Sequence, residues 1–307
     1  MRLSIAIATY NEEKNILRCL KSVYDWVDEI IIVDGTSTDK TVDVIKKFDQ
    51  KKKIKIYLED NPPMFHLNKQ KAIEKCTKDW ILQLDADEEA TEDLRQEIAQ
   101  LLNCPIAGKK SKNNRTIEQS NNRIIAFWIP RLNFFLGKPL KKGGQYPDYT
   151  LRLYRNGVAK FPCKSIHEQV NINVGVGRDR PEKRASHDSP LQNQSMEQSN
   201  NGTIGHLNSS LLHYPYPTFS EYLNKWNRYT SLESENLKKQ GFKPSFFNFI
   251  KYFFILPKIW FFKTYFRHLG FFDGFPGFVF SLFSAIRYWG IYIKTIDKNT
   301  LKNKHVH

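Results

Sequence analysis

Residues 29–34, Glu-Ile-Ile-Ile-Val-Asp, place four β-branched apolar side chains in a row between two acids. A continuous apolar run is typical of a strand that is covered on both faces, as the strands of parallel sheets are. Strand and helix signals alternate on either side of it, which predicts an α/β fold with an open sheet. The predicted strands are Leu3–Thr9, Glu29–Asp34, Ile54–Leu58 and Trp80–Leu84, and the predicted helices include Thr41–Phe48 and Leu67–Cys76.

The composition of the 307-residue chain supports a folded core, because 40% of its residues are hydrophobic. The net charge of +15 indicates a surface that attracts nucleic acid, acidic lipid headgroups or phosphorylated substrates. Four scattered cysteines without metal-ligand spacing favour a reducing compartment. The short apolar run at residues 3–8 is soon followed by acids, which is unlike a signal peptide, and we expect a cytoplasmic protein.

Two polar stretches, Asn103–Arg123 and Ser186–Ser210, lack periodicity, and we expect both to be flexible insertions at the surface. Between them, Ile124–Pro130 and Thr150–Tyr154 are predicted strands. In the second strand two leucines alternate with polar side chains, which predicts one apolar and one polar face.

Residues 84–88, Leu-Asp-Ala-Asp-Glu, end the fourth predicted strand. Side chains alternate along a strand, so Asp85 and Asp87 face the same side if the strand continues that far. Ligands of α/β sheets bind beyond the carboxyl ends of strands, and clustered carboxylates suit Mg²⁺ or Mn²⁺, which also bind phosphate oxygens. The alternative is an acidic loop before a helix capped by Thr91, and the local sequence does not decide between the two.

Polar loops close the first two strands at residues 9–12, Thr-Tyr-Asn-Glu, and residues 34–39, Asp-Gly-Thr-Ser-Thr-Asp. Donors and acceptors along one edge suit a nucleoside, with Tyr10 beside the base and Glu12 and Asp34 accepting hydrogen bonds. Taken in isolation, these loops are explained better by ordinary turn and cap chemistry, in which Asp34-Gly35 makes a turn and Thr38 or Asp39 caps the next helix. The sequence has neither a phosphate loop ending in Lys-Ser or Lys-Thr nor a dinucleotide fingerprint after the first strand.

Taken together, residues 8–12 (ATYNE), 33–41 (VDGTSTDKT) and 84–88 (LDADE) resemble the family 2 glycosyltransferases of the GT-A fold. Residues 143–155 (GGQYPDYTLRLYR) and 166–168 (IHE) are similar to members that build lipopolysaccharide cores and related surface glycans. The resemblance implies a Rossmann-like, mixed but mostly parallel sheet in a domain over residues 1–240. It also implies a UDP-sugar or other nucleotide-sugar donor, with Mg²⁺ or Mn²⁺.

The resemblance further implies roles for individual residues. The donor contacts fall on Thr9, Tyr10, Glu12, Asp34, Lys71, Asp85 and Arg152, and the metal contacts fall on Asp85, Asp87 and His167. Asp39 matches the second acid of its motif and is also suited to organising the loop. His213 is a further histidine that could reach the same pocket, although a lone histidine is more often structural than a ligand.

The family reaction is a single displacement with inversion at the anomeric carbon. An acceptor hydroxyl is a poor nucleophile at neutral pH, so a carboxylate base takes its proton as the new bond forms. The metal offsets the charge of the leaving diphosphate. Asp148 resembles the family's catalytic acid in position and is the candidate base, while a simple Pro-Asp turn entering a strand is the alternative.

From Phe242 to Lys294 the only acid is Asp273, whereas seven residues are basic and aromatic residues are dense. No uncharged run there approaches the roughly 20 residues that span a bilayer. Basic aromatic helices lie in the membrane interface and are attracted to anionic lipid. We therefore expect residues 241–307 to form an amphipathic helical extension that binds the inner membrane face, which suits a lipid-linked or lipopolysaccharide-type glycan acceptor. The alternative is that these aromatic residues pack as ordinary core.

Two other functions explain part of the sequence. A metal-dependent sugar nucleotidyltransferase uses a similar sheet and acids, but it usually has a Gly-rich basic loop after the first strand, which residues 8–11 do not provide. A non-catalytic basic protein for lipid or nucleic acid fits the charge but gives no role to Asp85, Asp87 or Asp148. Because acids at strand ends repel phosphate backbones, we expect no nucleic-acid partner.

Overall fold

The computed structural model describes residues 2–102, 124–163, 169–172, 197–199, 202–216 and 218–297. Contacts divide the chain into two compact units. The first unit contains residues 1–131 and 149–212, and the second contains residues 132–148 and 213–307. The predicted division into a domain of residues 1–240 and an extension of residues 241–307 stays a prediction.

The centre of the first unit is a parallel sheet with the strand order β4-β1-β2-β3. Its strands are β1 (Leu3–Thr9), β2 (Glu29–Asp34), β3 (Ile54–Leu58) and β4 (Trp80–Asp85). Every residue of β2 is buried, as its continuous apolar run predicts for a strand covered on both faces. Because the four strands are parallel, the loops that follow them lie along one edge of the sheet.

The sheet continues beyond β4 with a change of direction. The strands β8 (Asp148–Arg155), β6 (Ile124–Phe135), β12 (Gly202–His206) and β11 (Glu197–Ser199) follow in this order, and β8 runs antiparallel to β4. The predicted mixed, mostly parallel sheet is confirmed. Strands β11 and β12 lie inside Ser186–Ser210, where the sequence predicts no strand. Strands of three and five residues are too short to show a clear hydrophobic periodicity.

Helices cover both faces of the sheet in the first unit. They are α1 (Ile16–Val23), α2 (Thr41–Phe48), α3 (His66–Glu74) and α4 (Glu92–Leu101). Strand β2 serves both faces, because Ile30 and Ile32 pack in one apolar cluster and Ile31 and Val33 pack in the other. The predicted cap is confirmed, since the Thr91 side chain accepts a hydrogen bond from the Leu94 amide.

Short strands complete the described fold. They are β5 (Glu88–Ala90), β7 (Lys138–Pro139), β9 (Ala159–Lys160), β10 (Asn171–Ile172) and β13 (Leu211–His213). Strand β7 forms a tight hairpin with the end of β6, and its turn places Leu136 and Gly137 at φ angles of 50° and 76°.

The second unit is mainly helical. Its helices are α5 (Phe219–Lys239), α6 (Phe246–Arg267), which includes π-helical turns, and α7 (Gly274–Ile296). Within the described residues no single helix has the length and apolarity of a membrane span, whereas Phe246–Arg267 and Gly270–Ile296, bent by 71°, pass together on length and composition alone. A Cβ on Gly277 would lie 2.1 Å from the carbonyl oxygen of Gly270, so a glycine is required beside this bend.

Candidate active site

The strand order defines where a ligand is expected to bind. Strand β1 leads to β2 and β3 on one side, whereas β4 lies on its other side, so the chain reverses its direction of sheet growth between β1 and β4. In α/β sheets, ligands bind in the crevice outside the carboxyl ends of the strands at such a switch point. Ala8 is paired with Asp85 there, which places Tyr10 and the acidic cluster on either side of the switch point.

The loops after β1 and β2 are joined by side-chain hydrogen bonds. Asn11 has a φ of 56°, and its amide oxygen accepts hydrogen bonds from the backbone of Thr38 at 2.8 Å and of Asp39 at 3.3 Å. Its own backbone amide donates to the hydroxyl of Ser37 at 2.9 Å. These contacts hold the two loops in one arrangement, which lowers the entropy cost of ordering them around a ligand.

Asp34, a predicted nucleoside contact, is fully buried and supports the loop. Its carboxylate accepts hydrogen bonds from the hydroxyl of Thr9 at 2.8 Å, the amide of Ser37 at 2.7 Å and the hydroxyl of Ser37 at 2.7 Å. The turn interpretation is therefore confirmed for Asp34, whose side chain accepts from the Ser37 amide, whereas Thr9 donates to Asp34 from the neighbouring strand. An ionised carboxylate has about four acceptor positions, so these three bonds leave capacity for a ligand, and both nucleoside roles stay predictions.

Asp39 organises the start of α2. It accepts hydrogen bonds from the backbone amide and the hydroxyl of Thr41 and from the backbone amide of Glu13. Burial raises the pKa of Asp39, but the hydrogen bonds from Thr41 and Glu13 outweigh burial, and the pKa is lowered. The loop therefore contains a fixed negative charge at neutral pH.

The remaining predicted donor contacts on this edge differ in their surroundings. Tyr10 is 44% exposed, as a ring that stacks on a base must be. Glu12 is half-buried and accepts a hydrogen bond from the Asn15 side chain at 2.9 Å. Lys71 forms an ion pair with Glu59, just beyond β3, at 2.8 Å. Its predicted contact with the donor stays a prediction.

Arg152 is a buried cation among the acids that follow β4. Its guanidinium donates to Asp85 at 2.7 Å and to Glu88 at 2.6 Å, and it also contacts the Gln83 side chain. Arg152 is only 6% exposed, and Glu88 is fully buried. The predicted polar face of β8 is wrong, because Arg152 and Tyr154 are as buried as Leu151 and Leu153, with which they alternate.

Lys69 is the second cation beside Asp85. Its ammonium group contacts the Asp85 carboxylate and lies 5.0 Å from the centre of the Phe65 ring. Burial raises the pKa of Asp85, but the charges of Arg152 and Lys69 outweigh burial and hold it well below its usual range. Asp85 is therefore ionised, with its charge compensated inside the protein.

Sequence reasoning selected Lys71 and missed Lys69. The signal was the Lys-Gln-Lys run in α3, but both lysines are basic and composition alone does not separate them. Their different directions around the helix bring Lys69 to Asp85 and Lys71 to Glu59.

Asp85 and Asp87 are the two aspartates for which the sequence predicts metal contacts, and both contacts stay predictions. Asp87 lies half-buried in the turn between β4 and β5, and Asp85 is paired with Lys69 and Arg152. No group of three or more His, Cys, Asp or Glu residues in the described part of the chain is arranged to hold a metal ion. Mg²⁺ is often held by one or two carboxylates together with substrate phosphates, and Asp87 fits that requirement. The predicted ligand His167 lies outside the described residues.

The second unit contains the candidate base, Asp148, at the start of β8. Its carboxylate accepts a hydrogen bond from the amide nitrogen of Asn133 at 3.3 Å, and the amide oxygen of Asn133 lies 2.6 Å from Nδ1 of His213. Sequence reasoning missed Asn133, because the apolar pattern predicts that its strand ends at Pro130 rather than Phe135.

Parallel strands with joined polar loops and acids at the switch point define an α/β protein that binds its ligand at the carboxyl edge of the sheet. Residues 4–160 match the model of glycosyl transferase family 2, and the chain belongs to this family of glycosyltransferases. The mixed, mostly parallel sheet flanked by helices is the GT-A architecture that the sequence motifs imply.

Related proteins with curated names are glycosyltransferases. An uncharacterised glycosyltransferase of Rickettsia typhi is 28% identical over 306 residues, which cover 99% of this chain and 90% of the relative. The lipopolysaccharide core biosynthesis glycosyltransferase LpsC of Rhizobium meliloti is 23% identical over 301 residues, covering 98% and 94%. Among solved structures, Staphylococcus aureus TarS 1–349 in complex with UDP-GlcNAc aligns with a TM-score of 0.45 at 15% identity, covering 97% of this chain and 89% of that one.

Proposed function

We propose that the chain is an inverting, metal-dependent glycosyltransferase that moves a sugar from a nucleotide-sugar donor to a hydroxyl of a lipid-linked or lipopolysaccharide-type glycan. The observation that carries the proposal is the carboxyl edge of the parallel sheet. Exposed Tyr10, loops fixed by Asn11 and ionised Asp85 flank the switch point between β1 and β4. This arrangement offers a stacking surface for a base, hydrogen-bond acceptors for a ribose and charged groups for a diphosphate.

The donor's diphosphate is the part of the substrate that the acidic edge would bind through a cation. Asp87 is the proposed protein ligand of Mg²⁺ or Mn²⁺, and His167 is a proposed second ligand. A divalent ion bound there would offset the charge of the departing diphosphate. The cations Lys69 and Arg152 hold the Asp85 carboxylate in place and compensate its negative charge.

The proposed base is Asp148. A carboxylate takes the proton of the acceptor hydroxyl as the oxygen attacks the anomeric carbon, and the nucleoside diphosphate leaves from the opposite face, which inverts the configuration. The hydrogen bond from Asn133 supports this role, because it directs one oxygen of the Asp148 carboxylate.

The acceptor class is supported by a relative and by the surface of the second unit. The relative LpsC is named for lipopolysaccharide core biosynthesis. Large apolar side chains on α6, on α7 and on the turn between them remain exposed, and they include Phe246 at 77%, Phe247 at 87%, Phe272 at 68% and Phe275 at 71%. Basic aromatic helices of this composition bind the interface of anionic membranes. We therefore propose peripheral attachment to the cytoplasmic face of a membrane, close to a lipid-linked acceptor.

Release of nucleoside diphosphate from a panel of nucleotide sugars, with Mn²⁺, Mg²⁺ or a chelator, tests the donor and the metal. We expect one donor to be hydrolysed or transferred, a loss of activity with chelator, and a loss in Asp87→Asn. Asp43→Asn changes an exposed acid on α2 and should leave the activity unchanged, which makes it the matched control. Equal activity of the chelated and the Mn²⁺-loaded enzyme would exclude metal dependence.

The base is tested separately. Asp148→Asn should retain donor binding, measured as the rise in melting temperature with the donor and Mn²⁺, while transfer falls by roughly 10²- to 10⁴-fold. Near-normal transfer would exclude Asp148 as the base. Formation of a sugar nucleotide and pyrophosphate from a sugar phosphate and a nucleoside triphosphate would instead support the nucleotidyltransferase.

A further inference from the structure

The second unit contains a chain of three polar side chains around Asn133. The side-chain nitrogen of Asn133 is 3.3 Å from the Asp148 carboxylate, and its side-chain oxygen is 2.6 Å from Nδ1 of His213. The three residues come from different strands, since Asn133 lies in β6, Asp148 begins β8 and His213 ends β13.

The chemistry of these groups fixes the direction of every bond. An ionised carboxylate only accepts hydrogen bonds, so the NH₂ group of Asn133 must face Asp148. The carbonyl oxygen of Asn133 then faces His213, and because this oxygen is also only an acceptor, Nδ1 of His213 must carry the proton. In the neutral ring the lone pair is consequently on Nε2.

The backbone around Asn133 is held on both sides. The backbone carbonyl oxygen of Asn133 accepts a hydrogen bond from the Leu140 amide at 2.8 Å, across the hairpin formed with β7. The next residue, Phe134, stacks on Tyr214 with ring centres 4.6 Å apart, and Phe135 is buried in the core of the second unit. A side chain on such a fixed segment loses little entropy when it orients its neighbours.

We propose that Asn133 is a positioning residue for the transfer reaction, which orients the carboxylate of Asp148 and at the same time sets the tautomer of His213. This proposal rests on the proposed role of Asp148 as the base. Asn133 itself exchanges no proton with the substrate. It donates a hydrogen bond to one oxygen of the Asp148 carboxylate and so fixes the orientation of the group that accepts the proton of the acceptor hydroxyl.

Two substitutions separate the two halves of this role. Asn133→Asp keeps an acceptor for the Nδ1 proton of His213 but replaces the donor to Asp148 with a carboxylate. Asn133→Leu has a similar size and removes both bonds. We expect kcat to fall roughly 10- to 100-fold in both variants, the size expected for losing a hydrogen bond to a charged group, while the KM for the donor stays near that of the wild type.

The tautomer of His213 is read independently of activity from the ¹⁵N chemical shifts of its ring in the intact protein. We expect the Nδ1-protonated form in the wild type and in Asn133→Asp, and a shift toward the other tautomer in Asn133→Leu. An Nε2-protonated ring in the wild-type protein would overturn the proposal.

Asn156→Leu is the control for a purely structural asparagine, because its side chain donates only to the backbone oxygens of Cys76 and Lys78 among its described bonds. A matching fall of kcat in this variant, or a fall of kcat/KM in Asn133→Leu that comes entirely from KM, would overturn the proposal. Failure of Asp148 as the base is recognised separately, because Asp148→Asn would then remain active.

Discussion

The two units of the molecule differ in where their charged side chains and their large apolar side chains lie. In the first unit, buried acids have partners inside the same unit, as Asp85 and Glu88 have in Arg152. In the second unit, large aromatic side chains are exposed along α6 and α7, and the stretch from Phe242 to Lys294 has seven basic residues and one acid. Asp85 and Glu88 are thus compensated by a cation of their own unit, whereas the aromatic side chains on α6 and α7 leave a large apolar area exposed to solvent.

The two units therefore differ in where free energy of binding is available. Charges that are already paired and fixed in a buried network do not have to reorganise when a charged ligand binds beside them. Exposed apolar side chains gain free energy only when they leave water, so their contribution depends on a partner.

The largest effect is expected from breaking the buried network of the first unit. Arg152→Met would leave Asp85 and Glu88 without their common cation and should lower the free energy of unfolding by about 3–5 kcal/mol. Urea denaturation of the purified protein measures this loss. If the variant does not fold, the double variant Arg152→Met/Glu88→Gln removes one buried charge of each sign and should recover part of the stability.

Arg95→Ala is the matched control for that experiment. Arg95 pairs with Glu92 on the surface of α4, at 3.2 Å, with the Glu92 side chain 61% exposed. Surface pairs contribute about 0–1 kcal/mol, so this variant should be almost as stable as the wild type. Equal losses in Arg95→Ala and Arg152→Met would contradict the interpretation that burial makes the network important.

Glu29 is another buried acid of the first unit whose charge is compensated inside the fold. Burial raises its pKa, but hydrogen bonds from Lys55, Thr77 and Ser4 outweigh burial and lower the pKa from 4.5 to about 2. Because the pKa is lower in the folded state, the stabilisation is fully present above about pH 4.5 and is lost as the pH falls toward 2.

Glu29→Gln should therefore reduce the unfolding free energy at pH 7 by about 2–3 kcal/mol and flatten its decline between pH 4.5 and 2. Denaturant titrations at a series of pH values measure both effects. Glu92→Gln removes a negative charge from an exposed position and accounts for the change in net charge. An unchanged slope in Glu29→Gln would show that other groups cause the acid sensitivity.

The sheet of the first unit could be predicted from sequence because its signals are local. The strand Glu29–Asp34 is a continuous apolar run with the bounds that its pattern predicts, and the Thr91 cap needs only the residues of its own turn. The end of β6 could not be predicted, because its last residues are held by the hairpin with β7 rather than by an apolar pattern.

The candidate site was predictable as a set of motifs but not as a set of contacts. The position of Asp85 follows from the end of its strand, whereas its partners Lys69 and Arg152 come from α3 and β8. Asn133 illustrates the same limit, because no pattern near it in sequence indicates Asp148 or His213. Such pairings depend on strand order, which local periodicity does not determine.

The exposed aromatic residues of the second unit should control membrane binding. Phe246→Ser/Phe247→Ser removes two of its most exposed rings and should weaken binding to anionic vesicles by roughly 10- to 100-fold, because less apolar surface leaves water. Cosedimentation with vesicles that contain phosphatidylglycerol measures the change. Higher salt should also weaken vesicle binding by the wild-type protein, because salt screens the attraction between the anionic lipid headgroups and the lysines and arginines of the second unit.

Leu58→Ser is the corresponding control in the first unit, since Leu58 is 64% exposed at the end of β3. It should leave vesicle binding unchanged, whereas the Phe246/Phe247 variant should leave the unfolding free energy unchanged. Equal vesicle binding by the wild type and the double phenylalanine variant would contradict the interpretation that exposed aromatic side chains of the second unit bind the membrane.

The smallest effect is expected at Asp273, the one acid in the basic stretch from Phe242 to Lys294. Its carboxylate accepts hydrogen bonds from the backbone amides of Lys141 at 3.1 Å and Lys142 at 2.8 Å, in the segment that leads to Asp148. Asp273 is therefore paired within the second unit, as Asp85 and Glu88 are within the first, and it ties the turn before α7 to the segment that carries the candidate base.

Asp273→Ala should lower the unfolding free energy by about 1–2 kcal/mol, because two amides lose a charged acceptor. Asp273→Asn keeps one acceptor oxygen and should lie between this variant and the wild type. Hydrogen exchange at the Lys141 and Lys142 amides gives the local readout, since both should exchange faster in Asp273→Ala. Unchanged exchange would mean that the segment before Asp148 is held by other contacts, and that Asp273 is retained in the basic stretch without a role in fixing the candidate base.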